Sequence, residues 1–204
     1  MNNIISLKKI SKSFLKNKKI SILKHIDYSF IKGKVYSIMG PSGSGKSTLL
    51  NILSMIDKPT SGSLLIDDKK INFLETVNND NIRAKRIGII YQQNNLLPDF
   101  TALENIYLAN LALDNNKKFA INKAKKLIKK MGLSSRENHY PSELSGGEAQ
   151  RIAISRALIN EPEIILADEP TGSLDQSTAK EVFNVLYNLK NKKRLIIYAT
   201  HNRF

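Results

Sequence analysis

Two clusters of residues in the chain have the types and spacing to do chemistry on a phosphate ester. The first is Gly40-Pro41-Ser42-Gly43-Ser44-Gly45-Lys46-Ser47, followed by Thr48, which fits the pattern GxxxxGK followed by Ser or Thr. It follows an apolar run at 35–39 and opens an apolar stretch at 46–56, the strand–loop–helix context in which such a pattern works. Glycines let backbone amides close around a phosphate, and the helix N-terminus adds partial positive charge. Lys46 would bridge the β- and γ-phosphates of a nucleotide, and Ser47 would ligate Mg²⁺. The second cluster is Ile164-Ile165-Leu166-Ala167-Asp168-Glu169, a buried-type strand that delivers two carboxylates to its C-terminal end. Asp168 would hold Mg²⁺ and Glu169 would orient and polarise an attacking water. An acidic pair before Pro170 and Gly172 is also what an ordinary turn looks like, and the upstream phosphate loop favours the chemical reading.

The elements that must carry these groups follow from hydrophobic period and turn residues. Strands are expected at 4–10, 23–30, 35–39, 64–66, 163–167 and 194–200, with a β-rich run at 86–92. Helices are expected at 46–56, 101–113, 119–131, 147–160 and 177–189, with Gly132 stopping the third. The Asn- and Lys-rich patches 78–81, 115–118 and 191–193 read as loops. Strands alternating with helices predict an α/β fold with a mostly parallel sheet, and the helical block at about 100–160 interrupts the alternation as an inserted subdomain. The expected division is a nucleotide-binding core at 1–95 and 161–204 and a helical subdomain at 96–160, within a single domain.

Composition narrows the function classes. The chain has 204 residues and no cysteine, so disulfides and thiolate metal sites are excluded. No apolar run approaches the roughly 18 residues that span a bilayer, and residues 1–10 hold no apolar signal core, so secretion is not expected. The net charge of +14 could serve a nucleic acid or an anionic membrane. Only seven of the 32 basic residues are arginine, and they are not interleaved with aromatics. The charge therefore reads as a solvated lysine-rich surface, and no nucleic-acid partner is expected.

A third cluster, Leu144-Ser145-Gly146-Gly147-Glu148, precedes a helix. Ser145 and Glu148 are spaced as a capping box, but two glycines in the first turn weaken a helix and make sense where backbone must approach a phosphate. Leu144 to Glu148, LSGGE, resembles the signature motif of the ABC ATPases, and the rest of that family's set follows in order. Phe14 sits where the family's adenine-stacking aromatic lies. Gln92 resembles the glutamine that meets Mg²⁺ or the water and senses the transmembrane partner. Ser173-Leu174-Asp175 resembles the D-loop, and His201 the switch histidine at the γ-phosphate. Gln150 and Arg151, just past the signature, read as supports of their helix.

The resemblance covers essentially the whole chain. It implies a P-loop NTPase core with an N-terminal antiparallel β part, ATP and Mg²⁺ as ligands, and a homodimer in which the signature of one chain faces the phosphates bound by the other. It also implies integral membrane transporter subunits as partners and a peripheral place on the cytoplasmic face of the inner membrane. The stretch Leu96-Leu97-Pro98-Asp99-Phe100-Thr101-Ala102-Leu103-Glu104-Asn105 is similar to the lipoprotein-releasing, LolD-like group of the MacB-like branch, with the lipoprotein cargo handled by the partner. Asn94 and Asn95 stand where those relatives commonly carry histidines, which leaves a MacB-type exporter or an FtsE-like complex as alternatives. A soluble ABC ATPase acting on nucleic acid or the ribosome is a further one, and so is a chain that binds ATP without hydrolysing it. The chain stops three residues beyond His201, where relatives continue with a helix, a strand and a Gly-containing turn, so a shortened C-terminus is expected.

Overall fold

The computed structural model describes residues 3–15 and 19–201. The N-terminal part is antiparallel. Strands β1 (Asn3–Leu15) and β2 (Lys19–Ile31) pair with Ile5 opposite Phe30 and Phe14 opposite Ile20. With β4 (Ser61–Ile66) and the two-residue β5 (Lys69–Lys70) they form a sheet ordered β2-β1-β4-β5. An irregularity between Leu7 and Ile10 shifts the β1 register, and Ile10 and Lys12 beyond it are both buried.

The second sheet is wholly parallel. It consists of β3 (Val35–Met39), β6 (Ile87–Ile90), β7 (Ile164–Asp168) and β8 (Leu195–Thr200), in the order β3-β8-β7-β6. Parallel strands are covered on both faces, and Ile164 to Ala167 are buried without alternation. Because all four run the same way, the segments after Met39, Ile90, Asp168 and Thr200 emerge at one edge.

Helix α1 (Lys46–Leu53) lies between the two sheets in a core that includes Leu49, Ile52, Ile5, Leu64, Leu166 and Ile197. The opposite face of the parallel sheet packs on α5 (Gly146–Leu158) and α6 (Gln176–Tyr187) through Ile154, Leu158, Val182 and Leu186. Helices α3 (Ala102–Leu111), α4 (Lys117–Lys130) and α5 share a separate cluster built on Ile106, Ala124, Ile128 and Ile152. This is the α/β class expected, with the antiparallel part and the helical block in their expected places.

Two local readings need correction. Residues 78–81, expected as a loop, lie inside α2 (Thr76–Arg86). Apart from Ile82, which packs against the main core, polar contacts rather than an apolar stripe hold this helix. Buried Asn79 donates from Nδ2 to the Asn72 carbonyl at 2.9 Å, and Arg83 donates to the Met55 carbonyl at 3.1 Å. One packed apolar residue is too little for a 3.6-residue hydrophobic period to show. The 115–118 patch is not wholly loop either: Asn116 caps α4 by accepting from the Phe119 amide at 3.0 Å, and the helix starts at Lys117. Gly132 does end α4, in a left-handed conformation with φ of 71°. The expectation of a shortened C-terminus concerns the chain beyond His201, outside the described residues.

Candidate nucleotide site

The phosphate loop joins β3 to α1. Gly45 takes φ of 94° at the N-cap of α1, and a side chain there would also strike Ile22 and Leu23, at 2.8 and 2.9 Å. No side chain caps α1, so the first-turn amides that α-helices leave unpaired point into the loop. Lys46 is buried. Its Nζ donates to the carbonyls of Gly40 at 2.9 Å and Pro41 at 3.1 Å, and stands 3.4 Å from Glu169 Oε1.

Asp168 is the last residue of β7, and its Oδ1 is buried with no hydrogen-bond partner. An orphaned carboxylate oxygen one residue before Glu169 fits a bound cation, since unpaired buried anions are costly, although Asp168 itself does not line the cleft described below. Glu169 follows in the left-handed region at φ of 43°, with its amide donating to the Ala199 carbonyl at 3.0 Å. Few non-glycine residues adopt that backbone, and here it turns the carboxylate back toward the loop. The second oxygen of Glu169 lies 2.8 Å from Nδ1 of His201, which follows β8.

Gln92 comes two residues after β6 rather than ending the strand. The 169–172 turn, closed by the Gly172 amide on the Glu169 carbonyl at 2.9 Å, brings Gln92 close. A Cβ on Gly172 would sit 3.1 Å from Gln92 Nε2, which would have to give by a few tenths of an ångström, and at ordinary contact distance, 3.4 Å, from Glu169 Oε2.

These segments line one cleft of about 700 Å³. Pro41, Ser42, Gly43, Gly45, Lys46, Ser47 and Thr48 form its floor, Gln92, Glu169 and His201 one wall, and Phe14 with Ile22 the other. Gly40 and Ser44 belong to the same loop but pack against each other rather than facing the cleft: a Cβ on Gly40 would meet Ser44 Oγ at 2.7 Å. The volume suits a nucleotide-sized ligand. Sequence reasoning missed Ile22, an ordinary apolar strand residue with no signal of its own.

The signature and D-loop residues do not line this cleft. Ser145 Oγ accepts from the Glu148 amide at 3.2 Å while Glu148 Oε2 accepts from the Ser145 amide at 2.8 Å, a complete capping box. The hydrogen bond from Arg136, with those from Ser145, lowers the Glu148 carboxyl to a pKa of about 2. Asp175 caps α6, and bonds from Ser177 and Thr178 hold its pKa below the usual carboxylate value. The glycines have an intrachain reason that sequence reasoning missed. A Cβ on Gly147 would stand 2.3 Å from Thr178 Cγ2, and one on Gly146 3.3 Å from Leu174 Cδ2. Leu144 packs against the helical cluster, and Ser173 Oγ reaches the Gln92 carbonyl at 3.4 Å.

Helix α5 also holds the segment around Gln92. Gln150, fully buried, donates to the Tyr91 carbonyl at 3.0 Å, and Arg156 donates to the carbonyls of Asn94 and Asn95, both at 2.7 Å. Burial lowers the Arg156 pKa without removing its charge at any ordinary pH. Arg156 offers no local motif, so its role was not legible beforehand.

Comparison with known proteins agrees with this geometry. The profile of the ABC transporter family matches residues 23–172. The chain is 45% identical over 205 residues to the lipoprotein-releasing system ATP-binding protein LolD of Rickettsia bellii, covering 98% of this chain and 90% of that one. It is 42% identical to the macrolide export ATP-binding/permease protein MacB of Mannheimia succiniciproducens, covering 98% of this chain but 31% of that larger protein. A dimeric ATP-binding cassette solved in a post-hydrolysis state with ADP and Pi superimposes with a TM-score of 0.89 at 39% identity, over 98% of this chain and 88% of that one. On the phosphate loop, the paired acids and a match spanning most of its length, the chain belongs to the ABC transporter family of ATP-binding proteins.

Proposed function

We propose that this ABC ATPase powers the release of lipoproteins from the inner membrane through integral membrane subunits, working as a homodimer on the cytoplasmic face. The observation that carries the hydrolytic part is the convergence of Lys46, Glu169, His201 and Gln92 on one cleft from four segments of the parallel sheet edge. Lys46 and the α1 amides would hold the β- and γ-phosphates, and Phe14 would stack the adenine. Ser47, Asp168 and Gln92 would hold Mg²⁺, which supplies charge neutralisation at the phosphates. Glu169 would orient the attacking water and take its proton as the bond from the γ-phosphorus to the bridging oxygen breaks and ADP leaves. His201, bonded to Glu169, would hold that carboxylate in place and reach the γ-phosphate.

Leu144 to Glu148 and Ser173 to Asp175 would complete the site of the opposite chain, in keeping with their position outside this chain's own cleft and with the dimeric state of the solved relative. The division into a core at 1–95 and 161–204 and a helical subdomain at 96–160 is part of this reading, the helical part carrying the signature and the partner-facing segment after Gln92. No helix among the described residues is long and apolar enough to cross a membrane. Lipoproteins as cargo rest on the likeness to proteins named for lipoprotein release.

The test is Mg-ATP hydrolysis per subunit against protein concentration, with Glu169→Gln as control. A rate per subunit that rises with concentration and vanishes in the variant supports a dimeric engine. Retained nucleotide binding without hydrolysis above the variant would sink the proposal for the chain alone. Co-purification of an integral membrane partner, and lipoprotein release on reconstitution with it, tests the cargo.

A further inference from the structure

Lys12 is a buried lysine that none of the motifs uses. It lies two residues before Phe14 on β1, at a register irregularity of the β1–β2 pair, with its ammonium beside the Phe14 ring. Its Nζ donates to Asp57 Oδ1 at 2.6 Å and to the Lys58 carbonyl at 2.8 Å, and it lies 4.9 Å from the centroid of the Phe14 ring. A buried ammonium must spend its three N–H donors on partners. Here two go to the turn after α1, and the ring takes the remaining side. Asp57 and Lys58 follow the helix that the phosphate loop opens. One ammonium thus ties the wall carrying Phe14 to the element carrying Lys46 and Ser47.

We propose that Lys12 is a positioning residue for the nucleobase: it backs the Phe14 ring and sets its distance from the phosphate loop. The proposal rests on the reading of Phe14 as the base platform. A partly exposed ring on the cleft wall would otherwise rotate freely, and each nucleotide would have to order it on binding. The nearby ammonium also attracts the π-cloud from one side, as cations over aromatic rings do. The effect belongs to the base alone, so it separates from phosphate binding.

The experiment titrates the full chain with Mg-ATP and, separately, with magnesium tripolyphosphate, which has the phosphates and no base. Lys12→Met keeps the stem, Phe14→Ala removes the ring, and the double variant combines them. Lys12→Met is expected to weaken ATP binding about 5- to 10-fold, the size of a partly desolvated cation–π contact, and to leave tripolyphosphate binding unchanged. In the Phe14→Ala background it is expected to add nothing. Equal weakening of both ligands, or an undiminished effect without the ring, would mean that Lys12 only braces the fold and would overturn the proposal. Weakening by Phe14→Ala but not by Lys12→Met would overturn it too, while leaving the platform standing. ATP affinity unchanged in Phe14→Ala would remove the platform and the proposal together. Asp57→Asn, which loosens the anchor without emptying the core, is expected to reproduce the ATP-selective loss in part.

Discussion

Glu169 and His201 are joined by a 2.8 Å contact between Oε2 and Nδ1, while the other oxygen of the same carboxylate faces Lys46 at 3.4 Å. One side chain from the end of β7 therefore holds both the residue after β8 and the lysine of the phosphate loop. Glu169→Gln keeps the shape and removes the charge and the basicity. Hydrolysis is expected to fall about 10²- to 10⁴-fold with ATP still bound, as loss of a general base does. Phosphate release and equilibrium binding on the same preparation measure the two effects.

His201→Ala removes the partner that steadies Glu169. The expected result is a fall in kcat larger than any rise in KM, since the histidine steadies Glu169 and touches neither the nucleobase platform nor the phosphate loop. A change confined to KM would place His201 in substrate binding instead.

Gly147→Ala introduces a methyl group against Thr178 Cγ2, at a notional separation of 2.3 Å. Overpacking of this kind costs about 1–3 kcal/mol, which outweighs the gain of under about 1 kcal/mol from replacing a helical glycine. The urea midpoint is expected to fall. Thr178→Ser deletes the offending methyl, so the double variant should recover most of the loss. Failure to recover would show that the glycine serves something other than α5–α6 packing.

Glu148 has its pKa lowered to about 2, first by the Arg136 guanidinium and then by the Ser145 amide. A depressed carboxyl contributes stability that is fully present above its unfolded value, near 4.3, and is lost as pH falls through the folded value. The stability difference between the protein and Glu148→Gln is therefore expected to be constant from pH 7 to about 5 and to shrink toward pH 2. A difference that stayed flat across that window in urea titrations would contradict the Arg136 contact.

Arg156 spans two carbonyls of the segment after Gln92. Arg156→Met should release that segment, seen as faster amide exchange at Leu96 and Leu97. Stability is expected to fall by about 1 kcal/mol, because the Asn95 carbonyl is exposed and that of Asn94 only partly buried, so water can replace much of what is lost. Arg156→Lys is not expected to rescue, because an ammonium lacks the fork that reaches both oxygens.

Local patterns alone determined the strand–loop–helix around Lys46, the apolar strand ending in Asp168 and Glu169, the capping box at Ser145 and Glu148, and the helix stop at Gly132. Each is set by residues within a few positions of one another, where backbone geometry and hydrogen bonding leave few choices. The family resemblance marked Phe14, Gln92 and His201, but no local rule brings them together. The strand order β3-β8-β7-β6 does that, since parallel strands in this order put four loop segments at one edge. Helix α2 escaped because docking that is polar apart from Ile82 leaves no hydrophobic period. The ion pair of Lys12 with Asp57, the grip of Arg156 on Asn94 and Asn95, and the need for glycine at 147 were equally hidden. They join positions about 30 to 60 residues apart through packing and register, which only the tertiary structure decides, because contact between distant side chains depends on how whole elements lie against each other.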